Sequence, residues 1–537
     1  MSDKEQVTLT IDGQPVRAPK GTTILEAAKA AGVSIPYYCY HPGLSVVGNC
    51  RMCLVEIEKI PKLQPSCATP VAEGQVVRTQ TPETLKNRRS VLEFLLLNHP
   101  LDCPVCDQAG ECELQNYYMD HGAYDARFNE DKTKRKKAFP IGPYVILDQE
   151  RCILCTRCVR FTREISKTGE LGVIDRGHRS EIDIFPGMEL KNAYSANVVD
   201  ICPVGALTDR DFRFQCRVWF LGRTASICPG CSRGCNIEIH FNERFNPRYH
   251  DKRVHRLKPR YNKEVNSFWM CDEGRYSYHS IDAADRLKAP LARANGAHRE
   301  ISWEEALHRT AEALKSALEQ GGPESVALWA SPQMTNEELF RLRQIFRDHL
   351  KVSEIEYRVP SKEKAFSDNF LITADKNPNS RGAEVLGFAG KGYAEFLRSC
   401  SDGRIRFLYI CHHDLALGSN QEAISQALSK VAFVIYQGSR QNGTSALADI
   451  VLPAAVYAEK EGTFTNVQGR VQRIHAALPP LGESLPDLDI LDRLAVELGL
   501  PLRPSPAAEV FLEIGRNLKP FSGMSYESLG DAGQLLV

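Results

Sequence analysis

HPLDCPVCDQAGEC, residues His99 to Cys112, sets one histidine and three cysteines at H-x3-C-x2-C-x5-C. Imidazole and thiolates at such short, turn-bearing spacing form the donor set of a metal centre. Just upstream, Thr81-Pro82-Glu83 supplies an N-cap, a proline at the first helical position and an acidic first turn. A helix is therefore predicted from there to about Asn98, with Leu85, Leu92, Leu95 and Leu96 on one face. Pro100 ends it and leaves His99 at the helix terminus, facing the loop of Cys103, Cys106 and Cys112. Replacing one thiolate by neutral imidazole removes negative charge from a cluster's shell and tends to raise its potential. On these residues alone a Cys3His zinc site is the alternative.

Toward the N-terminus, VTLTI (7–11) alternates, Asp12-Gly13 signals a hairpin turn, and a second strand follows around Val16. Thr23 and Glu26 stand at capping-box spacing, so a helix is predicted from Thr23 to a stop at Gly32. A loop then carries Cys39, Cys50 and Cys53, and Cys67 follows the strand CLVEIE. Four thiolates at C-x10-C-x2-C-x13-C suit a [2Fe-2S] cluster, with a zinc knuckle as the alternative. Gly43 and Gly48 fit a loop whose backbone N–H groups must approach sulfur closely.

Toward the C-terminus, EDKTKRKK (130–137) is a charge run of the kind that forms solvated linkers. A strand, YVILD, precedes RCILCTRC with Cys152, Cys155 and Cys158. The proline after Cys202 in ICPVGAL is a ferredoxin signature, and with one C-x2-C-x2-C run nearby all four cysteines are assigned to one [4Fe-4S] cluster. ICPGCSRGCNI gives Cys228, Cys231 and Cys235, and WMCDEGR gives Cys271, at C-x2-C-x3-C-x35-C. Cys216 fits no set and is read as a buried thiol.

Of the 18 cysteines, 16 fall before residue 272; fifteen of them with His99 make four complete sets. From residue 276 the composition turns to ordinary α/β: WEEALHRTAEALKSAL has helical periodicity, and VALWA, RFLYI and VAFVIY suit buried parallel strands of a doubly wound sheet. GFAGKG (387–392) is too poor a match to a dinucleotide fingerprint to count, so no nicotinamide or flavin site is expected. Lys plus Arg equals Asp plus Glu, 67 each, which excludes a global field for nucleic acid or anionic lipid. The N-terminus has no apolar leader core, and runs such as VLEFLLL fall short of a span. The expectation is a cytosolic protein.

With all four sets in place the chain resembles the large iron-sulfur (G) subunits of proton-translocating NADH-quinone oxidoreductase, respiratory complex I. The shared phrases are YCYHPGLSVVGNCRMCLVEIE, HPLDCPVCDQAGECELQ, and RCILCTRCVRFTREI with NVVDICPVGALT. The resemblance implies a multidomain α+β and α/β protein: a β-grasp [2Fe-2S] domain (1–80), a helical His/Cys3 [4Fe-4S] segment (81–143) and a ferredoxin-like [4Fe-4S] domain (144–217). A molybdopterin-oxidoreductase-type [4Fe-4S] domain (218–275) and a cofactor-free, doubly wound α/β scaffold (276–537) complete it. It assigns Cys39, Cys50, Cys53 and Cys67 to the [2Fe-2S] cluster. Three [4Fe-4S] clusters go to His99, Cys103, Cys106 and Cys112; to Cys152, Cys155, Cys158 and Cys202; and to Cys228, Cys231, Cys235 and Cys271.

The implied function is electron relay, with no catalytic residue of its own and no molybdenum, FMN or NAD bound directly. Implied partners are a flavoprotein that oxidises NADH, a quinone-proximal iron-sulfur subunit and other peripheral-arm subunits, on the cytoplasmic face of a bacterial inner membrane. The C-terminal half, in TNEELF and ADIVLPAAVYAEKEGTFTNVQGRVQRI, is also similar to molybdopterin enzymes, so a NAD-linked formate dehydrogenase is the rival. Against it, Pro360, with Ser361 beside it, holds the place of the molybdenum ligand. Glu273 stands where a lysine usually separates cluster from pterin, and Val537 precedes room for a final pterin-binding barrel.

Overall fold

Asp12 and Gly13 take left-handed backbone, φ 46° and 83°, and close the hairpin between β1 (Gln6–Ile11) and β2 (Gln14–Pro19). The computed structural model describes residues 5–123, 125–242, 252–358, 366–390, 392–416 and 421–537, in two units, 1–221 and 222–537. In the first unit Thr23 accepts the N–H of Glu26 at 3.3 Å and starts α1 (Ile24–Ala30); Gly32, at φ 77°, turns the chain away after it. Glu26 does not close the predicted capping box, because its carboxylate accepts from the Tyr40 hydroxyl. Strands β3 (Leu54–Ile57), β4 (Gln64–Pro65) and β5 (Val76–Arg78) complete a five-stranded sheet of order β2-β1-β5-β3-β4. The β1–β5 pair is parallel and its neighbours antiparallel. Ile24, Leu25 and Ala28 of α1 cover its inner face of Leu9, Ile11, Val55 and Val77, in the same core as Cys53 and Cys67.

Thr81 caps α2 (Pro82–Leu96), two residues shorter than its periodicity predicts. Its C-terminus is closed from a distance: Lys132 Nζ donates to the carbonyls of Leu96 and Leu97 at 2.8 and 2.9 Å. Six of the eight residues of the run 130–137 are exposed, as a solvated segment requires, but its cations Lys132, Arg135 and Lys137 are tied to fixed partners. Arg135 donates to the carbonyls of His178 and Ser180, and Lys137 bridges Asp102 and Glu150. The cations found fixed acceptors left over by helix and loop ends, so the run is a strap across this unit. After α3 (Glu113–His121) come β6 (Phe139–Pro140), β7 (Val145–Leu147), α4 (Arg157–Glu164), the hairpin of β8 (Leu171–Ile174) and β9 (Glu181–Ile184), α5 (Asn197–Asp200) and β10 (Leu207–Asp209). Strand β7 lies between β10 and β6.

The second unit opens with a three-stranded sheet, β11 (Leu221–Ile227), β12 (Asn236–Asn242) and β13 (Val254–Pro259), with β12 and β13 antiparallel, followed by a single turn, α6 (Asp272–Arg275). A seven-stranded sheet follows: β14 (Leu291–Ala294), β15 (Ala297–Glu300), β16 (Val326–Trp329), β17 (Glu354–Glu356), β18 (Phe407–Cys411), β19 (Phe433–Gly438) and β20 (Ile450–Pro453), in order β15-β14-β20-β19-β18-β16-β17. The five strands from β20 to β17 are parallel. Alternate residues of β16 and β18 enter two different cores. Val326, Leu328, Phe407 and Tyr409 pack toward α7 (Trp303–Gly321) and α8 (Asn336–Leu342); Ala327, Trp329, Leu408 and Ile410 pack on the other face. A strand covered on both faces has no polar phase, which is why these segments read as unbroken apolar runs.

The hairpin of β21 (Gly462–Thr465) and β22 (Arg470–Ile474) packs on α8. Glu337 accepts from the N–H and hydroxyl of Thr463, both at 2.9 Å, and Lys460 bridges Glu338 and Asp487 at 2.8 and 2.6 Å. TNEELF and EKEGTFTN are thus two halves of one buried polar network.

Candidate metal centres

The first four cysteines converge from two loops, Cys39, Cys50 and Cys53 between α1 and β3 and Cys67 after β4. Cys39 and Cys50 meet thiol to thiol, as do Cys53 and Cys67, and Cys39, Cys53 and Cys67 are almost fully buried. Gly48 and Arg51 both take left-handed backbone, φ 59°, and fold the chain around Cys50. The Cys50 thiol donates to Cys39 and the N–H groups of Cys50 and Asn49 also point at it, so Cys39 lies below the ordinary thiol range while Cys50 is pushed up. These are the contacts that a sulfur in thiolate form accepts.

His99 follows the end of α2. Burial, then the cations Arg151 and Lys132, bring its imidazole down to about 4, so it is neutral and able to act as a ligand. Its Nδ1 is buried with no hydrogen-bond partner. The thiols of Cys103, Cys106 and Cys112 lie within electrostatic reach of one another, and Arg151 faces both His99 and Cys106. Cys112 caps α3; burial raises it to about 11 against the pull of the N–H groups of Gln115 and Leu114. A Cβ on Gly205 would overlap Cys106 Sγ, so only glycine admits this approach.

Cys152, Cys155, Cys158 and Cys202 line one enclosed pocket. Leu154 and Thr156, at φ 54° and 61°, turn the backbone so that Leu154 N–H donates to Cys152 Sγ at 3.4 Å. The N–H groups of Val204, Ala206 and Leu207 point at Cys202. Burial raises Cys152 and Cys155 to about 12. Uncharged thiols suit this apolar setting only without a cation; an iron cluster supplies the positive charge that thiolates need there.

In the second unit Cys228 leaves β11, Cys235 enters β12, and Cys271 caps α6 with Gly274 N–H donating to its sulfur at 3.3 Å. With Cys231 they line a second pocket. A Cβ on Gly274 would come within 3.0 Å of Cys228 Sγ and 3.4 Å of Cys271 Sγ. Among the described residues no three His, Cys, Asp or Glu groups converge on a point, as a single ion requires. Each of the two pockets is lined by four cysteines.

Three arginines were not legible as site residues. Arg160 donates to the carbonyls of Cys39, Ser45 and Cys155; Arg157 to that of Ile201; Arg151 pairs with Asp102 at 2.8 Å. All three are buried. Their spacing along RCILCTRCVR gave no sign of it, since arginine is usually exposed. Cys216 is buried as expected, its thiol donating to the Arg217 carbonyl at 3.5 Å.

Models of five families match along the chain. They are a 2Fe-2S iron-sulfur cluster binding domain (4–82), the NADH-ubiquinone oxidoreductase-G iron-sulfur binding region (88–127), the ferredoxin-like domain of NADH-quinone oxidoreductase subunit 3 (142–208), the molybdopterin oxidoreductase Fe4S4 domain (222–283) and molybdopterin oxidoreductase (286–376 and 359–497). The G subunit of NADH-quinone oxidoreductase from Rickettsia felis is 31% identical over 96% of this chain and 91% of its own length. The chain belongs to the family of NADH-quinone oxidoreductase G subunits.

The mitochondrial 78 kDa subunit of NADH-ubiquinone oxidoreductase from Neurospora crassa is also 31% identical, over 94% of this chain and 82% of its own. Among solved structures, a NAD+-reducing [NiFe]-hydrogenase in the H2-reduced state is 33% identical over 40% of this chain and 91% of its own, at TM-score 0.37. For a G subunit of NADH-quinone oxidoreductase, two expectations about the second half need restating. Pro360 and Ser361 lie outside the described residues. Glu273 does not stand alone as an uncompensated anion: Lys376, 103 residues away, lies 2.6 Å from its carboxylate and lines the same pocket.

Proposed function

We infer that this chain is an electron-relay subunit of NADH-quinone oxidoreductase. In this reading electrons come from a flavoprotein partner that oxidises NADH and pass toward a quinone-proximal iron-sulfur subunit. The observation that carries it is a single apolar cluster in the first unit. Tyr38, Met52, Leu92, Leu114 and Val204 pack there against Cys39, Cys112 and Cys155, with Cys50, Cys152 and Cys202 at its margin. Donors from three candidate sets thus share one dry core, as short transfer distances demand.

The donor assignment we propose is Cys39, Cys50, Cys53 and Cys67 for a [2Fe-2S] cluster. For [4Fe-4S] clusters it is His99 with Cys103, Cys106 and Cys112; Cys152, Cys155, Cys158 and Cys202; and Cys228, Cys231, Cys235 and Cys271. Bound clusters supply one-electron acceptors whose potentials follow ligand type, N–H donors to sulfur and burial. The residues of this chain hold the sulfurs, aim backbone N–H groups at them, and exclude water. No helix among the described residues is long and apolar enough to cross a membrane. Attachment to the cytoplasmic face of a bacterial inner membrane through partner subunits is part of the proposal.

Iron, acid-labile sulfide, zinc and molybdenum in anaerobically purified protein test it. Four filled sites give about 14 iron per chain without molybdenum. Stoichiometric molybdenum would replace relay by a molybdopterin enzyme, and zinc with little iron would overturn both.

A further inference from the structure

The pocket of Cys228, Cys231, Cys235 and Cys271 has one ion pair in its wall. Lys376 is largely buried, its side chain 11% exposed, and its ammonium meets the Glu273 carboxylate at 2.6 Å. The segment that carries Lys376 is clamped onto the cysteine loop. Ser232 N–H donates to the Asp375 carbonyl at 2.9 Å and its hydroxyl to Thr373 Oγ1 at 3.0 Å. Arg233 donates to the carbonyls of Phe370 and Leu371 at 2.6 and 3.3 Å. On the far side Gln333 holds the Lys376 carbonyl at 3.1 Å. The backbone that carries Lys376 is therefore held against the cysteine loop by bonds on both sides, and its ammonium is held by Glu273.

The Glu273 side chain, 59% exposed, lines the pocket beside Lys376, two residues after Cys271. Left alone, a carboxylate there disfavours adding an electron to an already negative thiolate-ligated cluster. The ammonium opposes it.

We propose that the Lys376–Glu273 pair sets the reduction potential of the fourth cluster, Lys376 holding it up and Glu273 holding it down. Both act as positioning charges and neither is a ligand. The proposal rests on the reading that this pocket holds a [4Fe-4S] cluster.

The test is a redox titration of the full, cluster-loaded chain followed by electron paramagnetic resonance, with the three first-unit clusters as internal references. Lys376→Met, which removes the cation and unmasks the carboxylate, moves the fourth midpoint to lower potential. Glu273→Gln moves it to higher potential. The double variant returns toward wild type, and Lys376→Arg stays near it, which a merely structural role would not produce. Unshifted midpoints with the fourth signal present, or shifts of the same sign in Lys376→Met and Glu273→Gln, overturn the proposal. Wild-type protein with about 10 iron per chain and no fourth signal overturns the fourth-cluster reading itself, and the proposal with it.

Discussion

Arg160 Nη2 donates to the main-chain carbonyl of Cys39 at 2.5 Å across 121 residues of sequence, and the same guanidinium reaches Ser45 and Cys155. One side chain on α4 therefore ties the loop of the first cysteine set to that of the third. Arg160→Leu leaves three carbonyls without their donor and costs about 2–4 kcal/mol. The expected result is a lower thermal midpoint together with loss of the [2Fe-2S] signal; unchanged melting would refute the tie.

His99→Cys keeps the iron count and lowers the midpoint potential of that cluster, because thiolate replaces neutral imidazole. His99→Ala loses about 4 iron per chain. Potentiometry on both variants checks the assignment, and an unmoved potential in His99→Cys would remove His99 from the donor set.

Gly205→Ala drives a methyl group into Cys106 Sγ. Iron should fall from about 14 to about 10 per chain while the [2Fe-2S] spectrum persists. Full iron content in this variant would show that Cys106 has room to move and is not a fixed ligand.

Glu337 is fully buried, and burial raises its carboxyl from 4.5 to about 7. Its folded pKa exceeds the unfolded one, so between these values the folded state binds more protons and stability falls as pH rises. The contribution is intact below about pH 4.5 and gone above about pH 7, with an upper bound of about 3 kcal/mol. Denaturant unfolding of Glu337→Gln across that window should lack this downward slope; an unchanged slope would assign it to other groups.

Local signals carried the sequence reading a long way. The Asp12-Gly13 turn, the Thr23 and Thr81 caps and the apolar strands each depend on neighbours a few residues off, and each formed where expected. What stayed hidden depends on partners remote in sequence. Lys132 and Lys137 read as solvated because charge pattern says nothing of the helix end at Leu96 or the carboxylate of Asp102. Glu273 read only as the residue in place of a lysine, because the cation beside it, Lys376, comes from 103 residues away. Arg88, on α2 with Leu92, is buried against the Thr79 carbonyl, a partner that the helix's leucine periodicity does not reveal.

The apolar cluster that joins Tyr38, Leu92, Cys112 and Val204 bears on biogenesis. Its thiols come from segments spread between Cys39 and Cys202, so the walls of three candidate sites close together. On the proposed assignment, iron and sulfide must reach these sites before that closure, which makes loading a stage of folding. A maturation fault at one site would then leave its share of this common core unfilled, an opening for proteolysis that chains loaded at every site lack.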